Sequence, residues 1–414
     1  MSVCAAVLLS GVLAAQTPAA PQQAPSAPAT RAAGRAAGPG RGGTAVVSPE
    51  ILADGRVTFR IMAPQATAVT VTGDVNGSLV PGAAPVAPPA PAAPGAPGLG
   101  RAGGPPAVTM VKSESGVWSG TTTRAVKPGA WRYNFNVDGV TTVDARNTRT
   151  SPNQSTVQSL LVVPGDFSET RDVPHGNVAS VRYVAKALGN ARREMFVYTP
   201  PGYEKVNAKY PVLYLIHGGG DTAASWPTVG RAGDILDNLL AEQKIRSMIV
   251  VMPSGWTPTG GQVMTSDATK DPFNDEMIKD IIPHIQANYR TLATPEGRAL
   301  SGLSMGGIQT LNVGLHNLGT FRYLAVMSSG WTSEGDRDAF YKAEAAKIPT
   351  YDKQLKMFWW GWGETDIARP NSLLVIEKLK SLGVKNMETM ETPGGHEWVN
   401  WRIYLHEIAP KLFR

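Results

Sequence analysis

Residues 298–310 read RALSGLSMGGIQT and place Ser304 between Gly302 and Gly306. Gly-x-Ser-x-Gly at a strand-to-helix junction is the pattern of a nucleophile elbow. The serine sits in a tight, strained turn that projects its hydroxyl above the edge of a sheet, and the flanking glycines let the two backbones approach. The helix that follows points its positive end at the place where negative charge develops. The Met305 N–H would then supply half of an oxyanion hole. A hydroxyl is a weak nucleophile until a base takes its proton, so this chemistry also needs a histidine, an acid to orient it, and a second N–H donor. With 44 glycines in 414 residues the serine pattern is weak by itself, and the reading rests on those partners.

The partners occur in the order that acyl-transfer chemistry on a parallel sheet requires. Upstream, LIHGGGD carries His217 and three glycines directly after an apolar run. Gly218 or Gly219 can serve as the second oxyanion donor, because only backbone without a side chain lies that close to a substrate carbonyl. Downstream, MFWWGWGETDIARPN offers Glu364 and Asp366, and TPGGHEWVNW offers His396. Asp366 is favoured because it stands further into the loop and its shorter side chain is better held. Of the six histidines, His175 precedes this region, His217 belongs to the glycine loop, and His284, His316 and His406 fall within helical stretches. Only His396 lies in a glycine-rich loop after a strand, from where an imidazole can reach Ser304. The expected division of labour is Ser304 as nucleophile, His396 as base and Asp366 as orienting acid.

The elements that must position these residues are legible from about residue 170 onward. REMFVYTP, YPVLYLIHGGG, SMIVVMPSG, GRALSGL, YLAVMSSG, LKMFWWGWG and NMETMETPG read as strands, several of them continuously apolar as in a sheet buried on both faces. RAGDILDNLLAEQ, DEMIKDIIPHIQANYR, GGIQTLNVGLHNL, PNSLLVIEKLKSLG and WVNWRIYLHEIAPKLF read as helices between them. Such alternation predicts a parallel sheet covered on both sides over residues 170–414. Residues 45–166 have a different texture. GRVTFRIMA, ATAVTVTGDV, GVWSGTTT, GAWRYNFNVDGVTTVD and STVQSLLVVPG alternate apolar and polar residues, and the Asp-Gly of VDGV marks a hairpin turn. They predict a small antiparallel, immunoglobulin-like β-sandwich, interrupted at 81–107 by a Pro/Ala-rich surface loop.

Composition narrows the classes of function. The formal charge of +6 is spread thinly, with Arg31, Arg35, Arg41 and Arg101 in Pro/Gly/Ala-rich sequence and no basic cluster. Nucleic-acid binding is therefore not expected. Residues 1–15 are an apolar run too short to span a bilayer and read as a secretory signal, although no Lys or Arg precedes them. Residues 16–44 read as a disordered Ala/Pro-rich linker. No stable membrane insertion is expected, and a secreted or periplasmic location is. The one cysteine, Cys4, lies in the signal-like segment, which removes disulfides, thiol nucleophiles and thiolate metal sites. The scattered histidines and the lack of a His-Glu-x-x-His or Walker pattern leave no metal or cofactor to expect.

Taken together, VYTPPGY, YPVLYLIHGGGDTAASW, DEMIKDIIPHIQANYR, ALSGLSMGG and ETPGGHEWVNWR resemble the bacterial feruloyl esterases of carbohydrate esterase family 1, within the esterase D and enterochelin-esterase group. The resemblance covers residues 170–414 and implies an α/β-hydrolase fold, with GETD in the place of the acid loop. The front part is similar to the early-set, carbohydrate-binding-module-like domain that often precedes such esterases. Its part in sugar binding, in structure or as a lid stays open. The resemblance implies hydrolysis of feruloyl esters on plant cell-wall polysaccharide or oligosaccharide. Acetyl-xylan esterase, siderophore esterase, and a carbohydrate-binding protein with an inactive esterase domain are the alternatives. Ile367 stands where some feruloyl-active members have an aromatic residue, so Trp226, Trp331 and Trp398 are the expected aromatic contacts for an acyl or sugar ring. Trp359, Trp360, Trp362 and Trp401 read as core or strand residues.

Overall fold

The computed structural model describes residues 46–80, 108–258 and 265–414. The signal-like segment at 1–15, the linker at 16–44 and the Pro/Ala-rich loop at 81–107 lie outside the described residues. Residues 46–414 group as one unit.

The front part holds two antiparallel sheets, as the alternating sequence predicts. Strands β1 (Glu50–Ile51), β2 (Val57–Met62), β3 (Val69–Gly73), β4 (Val111–Lys112), β5 (Val117–Thr121), β6 (Gly129–Val137), β7 (Val140–Thr142), β8 (Thr150–Pro152) and β9 (Val157–Val163) follow in chain order. The first sheet runs β1-β2-β5-β4, and the second β3-β6-β9-β8 with β7 paired to β6. Val57, Phe59, Val71, Trp118, Trp131, Tyr133, Phe135 and Leu161 fill the space between them. Strand β6 is buried on both faces. Side chains alternate along a strand, so Trp131, Tyr133 and Phe135 point into the sandwich core. Ala130 and Arg132 point the other way, and Ala130, with Leu160 of β9, packs into a core of the following α/β part. The outer face of the second sheet is therefore internal along β6 and β9, while Thr70 and Thr72 of β3 stay exposed.

The α/β part is an eight-stranded sheet of β10 (Asn177–Ala185), β11 (Ala191–Thr199), β12 (Val212–Ile216), β13 (Ile249–Pro253), β14 (Arg298–Leu303), β15 (Tyr323–Met327), β16 (Met357–Gly363) and β17 (Met387–Thr392). Its order is β10-β11-β13-β12-β14-β15-β16-β17. From β13 to β17 the pairing is parallel, while β10, β11 and β13 pair antiparallel. The purely parallel sheet expected from sequence is corrected at this edge. Residues 186–190, a 3-10 turn at Lys186–Leu188 followed by Gly189 and Asn190 at positive φ, join β10 to β11 as a hairpin, and the mostly exposed outer strand, with Ser180 and Arg182 among its valines, lacks the continuous apolar run that marks the others.

Helices α1 (Ala232–Ala241), α2 (Pro272–Glu276), α3 (Ile282–Asn288), α4 (Met305–His316), α5 (Glu334–Ala343), α6 (Tyr351–Gln354), α7 (Arg369–Ser381) and α8 (Trp398–Ile408) cover the sheet. The amphipathic stretch 275–290 is not one α-helix. A π-helical turn over Met277–Ile281 separates α2 from α3. Pro283 has no N–H to donate to the preceding turn, which explains why the regular ladder is broken just upstream of it. Two apolar cores lie on either side of the sheet, one around Tyr214, Ile308 and Trp360, the other around Trp226, Leu303 and Tyr404.

Candidate active site

Strand register brings the sequence motifs to one end of the sheet. Ile216 pairs with Gly302, Leu303 with Met327, Met327 with Gly361, and Gly363 with Thr392. The loops after β12, β14, β16 and β17 therefore leave side by side from the carboxyl ends of parallel strands, the edge where α/β sheets place ligands.

Ser304 occupies the junction of β14 and α4 at φ 52°, ψ −117°, a conformation that costs an L residue energy. It persists because the surroundings over-determine it. The Ser304 N–H donates to Met327 O at 2.9 Å, and the Ser304 carbonyl accepts from Gly307 N, Ile308 N and the Ser329 hydroxyl, the last at 2.6 Å. The glycines are there for approach. A Cβ on Gly302 would lie 2.2 Å from Gly306 O, and one on Gly306 would lie 2.5 Å from His217 O. Met305 opens α4, so its N–H has no partner within the helix.

The glycine loop after β12 is set by His217. This side chain is wholly buried. Its Nε2 accepts from the Gly255 N–H at 3.0 Å, so the ring proton sits on Nδ1 and donates to Gly218 O at 2.8 Å. Burial pushes the imidazole below its ordinary value and keeps it neutral. In a trans peptide the carbonyl and the next N–H point opposite ways. Holding Gly218 O thus fixes the direction of the Gly219 N–H. Gly218 lies against the elbow: a Cβ there would be 3.2 Å from the Ser304 Cβ.

Asp366 and His396 meet as expected. His396 Nδ1 lies 2.8 Å from Asp366 Oδ1, which also accepts the Ala368 N–H at 2.8 Å. Burial alone would raise the Asp366 carboxyl. The hydrogen bond and charge of His396, together with the Ser328 hydroxyl and Ala368 N–H, outweigh it and hold the carboxyl below its ordinary value. Glu364 is exposed and has no contact with His396 among the described hydrogen bonds; its N–H donates to Thr392 O. The Trp401 ring stands edge-on to His396 at 5.1 Å, and its indole N–H donates to the Ser328 hydroxyl at 2.9 Å.

Ser304 and His396 line one cavity of about 130 Å³, together with Ile308, Ser328, Ser329, Gly330, Thr332, Ile367, Ala368 and Asn371. The structure does not bring Trp226, Trp331 or Trp398 to it. Their side chains are buried in the cores: the Trp226 indole donates to Ile216 O and the Trp331 indole to Asn312, while Trp398 stacks edge-on between Trp226 and Trp401. A ring wrapped by protein has no face left for a substrate, so the expected aromatic contacts are corrected to structural ones. Sequence reasoning missed Ser328, Ser329, Thr332 and Asn371. The serines follow β15 directly, and a polar pair closing a buried strand beside the elbow was the available signal.

The sheet order, the elbow between β14 and α4, and a histidine–carboxylate pair on the loops after β16 and β17 define an α/β-hydrolase. The family model described as "Putative esterase" matches residues 185–412, and the chain belongs to that family. It is 31% identical over 375 residues to an endo-1,4-beta-xylanase/feruloyl esterase of Xylanibacter ruminicola, an alignment covering 88% of this chain and 46% of that protein. The chain spans less than half the length of the curated relatives it matches. Among solved structures, the feruloyl esterase module from Clostridium thermocellum complexed with sinapinate superposes with a TM-score of 0.51 at 23% identity, covering 65% of this chain and 95% of that one. The enterobactin esterase from Shigella flexneri superposes with a TM-score of 0.58 at 15% identity, covering 86% of this chain and 92% of that one.

Proposed function

We propose that this protein is a serine esterase that hydrolyses carboxylic esters on plant cell-wall polysaccharide, feruloyl esters foremost. The observation that carries the reading is the His396–Asp366 pair, 2.8 Å apart, with His396 lining the same cavity as the strained Ser304. Ser304 Oγ attacks the ester carbonyl while His396 takes its proton. Asp366 engages Nδ1 of the ring, which leaves Nε2 to act as the base, and stabilises the imidazolium that forms. The Met305 N–H and the N–H of Gly218 or Gly219 hold the oxyanion. His396 then gives its proton to the departing sugar oxygen, which leaves as the hydroxyl, and water releases the acid from Ser304 by the same steps in reverse order.

The feruloyl assignment draws on the likeness to the Xylanibacter ruminicola protein, whose name joins xylanase and feruloyl esterase. Among the described residues, the cavity lining carries no Lys or Arg, which speaks against an anionic catecholate trilactone as substrate. Work outside the cytoplasm belongs to the same proposal, supported by the apolar run at residues 1–15 and by the absence of cysteine beyond Cys4. The test is a side-by-side release assay with methyl ferulate, acetylated xylan and a catecholate trilactone, using the protein and its Ser304→Ala variant. Ferulate release that vanishes in the variant is expected. Acetate release without ferulate would overturn the feruloyl assignment, and activity retained by the variant would overturn the nucleophile.

A further inference from the structure

The oxyanion loop is the part of the site richest in glycine. It carries Gly218, Gly219 and Gly220 in succession, with Gly220 at φ 82°, and glycines have the most backbone freedom to lose. Donors to an oxyanion help only when they are aimed before the charge appears. His217 holds the start of this loop. Its far end is held from outside the α/β part.

Arg132 of β6 reaches that end from the outer face of the second sandwich sheet. One of its terminal nitrogens lies 2.7 Å from Asp221 Oδ1, with both side chains only 8% exposed. The other donates to the Ser225 hydroxyl at 3.0 Å, and Nε donates to the Ser151 hydroxyl at 3.0 Å. The Ser225 hydroxyl in turn donates to Asp221 Oδ1 and accepts from the Thr222 N–H, both at 3.1 Å. Asp221 closes the glycine loop, its N–H donating to Gly218 O at 3.2 Å. The segment after β8 adds a backbone bond, Gln154 N–H to Gly220 O at 2.8 Å. The same guanidinium stands 5.7 Å from the Trp398 ring, which packs on Trp401, the ring set edge-on to His396.

We propose that Arg132, carried by the front sandwich, is a positioning residue for catalysis: by fixing Asp221 and Ser225 it holds the Gly218–Gly220 backbone aimed at the oxyanion, so that the sandwich is a working part of the esterase site. A planar guanidinium bonding two partners at once fixes direction as well as distance, which an ammonium cannot do. The inference rests on the serine-esterase reading and adds to it the residue that keeps the donor loop in place.

The test uses the full chain and a generic substrate, p-nitrophenyl acetate, with phenylboronic acid as the tetrahedral mimic whose oxygen occupies the oxyanion position. Arg132→Lys keeps the charge and loses the fork; Asp221→Asn keeps the shape and loses the ion pair. Each is expected to lower kcat by about 10- to 100-fold with KM within about 3-fold, less than the about 100- to 1,000-fold cost of removing an oxyanion donor outright. Boronate inhibition should weaken in parallel with kcat, and circular dichroism spectra should match the parent. Adding Asp221→Asn to Arg132→Lys should cost little more than either alone, because both act on one contact. Unchanged kcat and boronate affinity in a folded Asp221→Asn variant would overturn the proposal, as would a loss confined to KM. A parent protein inert toward every ester tested would instead overturn the esterase reading.

Discussion

Replacing Ser304 by glycine should make the protein more stable than replacing it by alanine. Both substitutions remove the hydroxyl, so activity cannot confuse the comparison. They differ in the Cβ, which at φ 52°, ψ −117° is held in conflict with the backbone. Such a conformation costs about 1–3 kcal/mol. Glycine removes that cost but gains about 0.5–1 kcal/mol of chain freedom when unfolded. The net expectation is that Ser304→Gly exceeds Ser304→Ala by about 0.5–2 kcal/mol. With an unfolding entropy of about 2.1 cal/mol/K per residue over roughly 370 residues, this is a melting-temperature difference of about 1–3 °C. Urea titrations of both variants followed by circular dichroism, with parallel calorimetric scans, measure it. The four hydrogen bonds at the Ser304 N–H and carbonyl are backbone-based on the serine side and survive in both variants. If the glycine variant is equal to or weaker than the alanine variant, the elbow is not strained at its Cβ and the argument fails.

Asp366→Asn should leave folding intact and lower kcat on a short-chain ester by about 10³- to 10⁴-fold, because a neutral amide neither fixes the His396 tautomer nor stabilises its charge; a loss below tenfold would contradict the role. Gly306→Ala should abolish activity and cost about 1–3 kcal/mol in urea titration, since its Cβ meets His217 O at 2.5 Å and Ile216 O at 2.8 Å, both backbone atoms. His217 is neutral when folded because burial lowers its affinity for a proton. As pH falls below about 6.5 the unfolded chain binds a proton that the folded chain refuses, so stability drops by up to about 1.4 kcal/mol per pH unit from this group. His217→Asn should flatten the stability profile between about pH 6.5 and 5 relative to the parent, and an unchanged slope would count against a neutral ring. Ile367 is 79% exposed and lines the cavity, so Ile367→Ala should shift KM for aromatic esters while changing stability by less than about 0.5 kcal/mol.

The parts of the site that were legible in sequence share one property. Gly302, Ser304, Gly306, the His217 glycine loop and the His396 loop are each defined within a few residues, where spacing and chemistry are the same thing. Asp366 was legible as one of two carboxylates, and burial with the His396 bond separates it from Glu364. The tryptophans were misread because an aromatic beside a catalytic loop in sequence can turn either toward it or into the core. Trp226 and Trp398 turn inward against each other, a long-range pairing that no local pattern carries. Strand β10 was missed because it is an exposed edge strand, and the π-helical turn before Pro283 because 3.6-residue periodicity survives a single wide turn. The face of β6 that meets the α/β part was hidden for a related reason. Alternation gave the two faces of the strand, but not that the outer one, with Ala130 and Arg132, would be covered.

That covered face also bears on how the chain folds. Asp221 lies 89 residues from Arg132 in sequence, so a sandwich folded without the later chain would leave Ala130 and Leu160 wet and the Arg132 guanidinium without this carboxylate. Domains generally fold as units from the N-terminal side. The later chain therefore meets a finished template whose exposed cation waits for a carboxylate. The glycine loop is then moulded against a surface that the sandwich presents, a surface that the α/β part alone would lack.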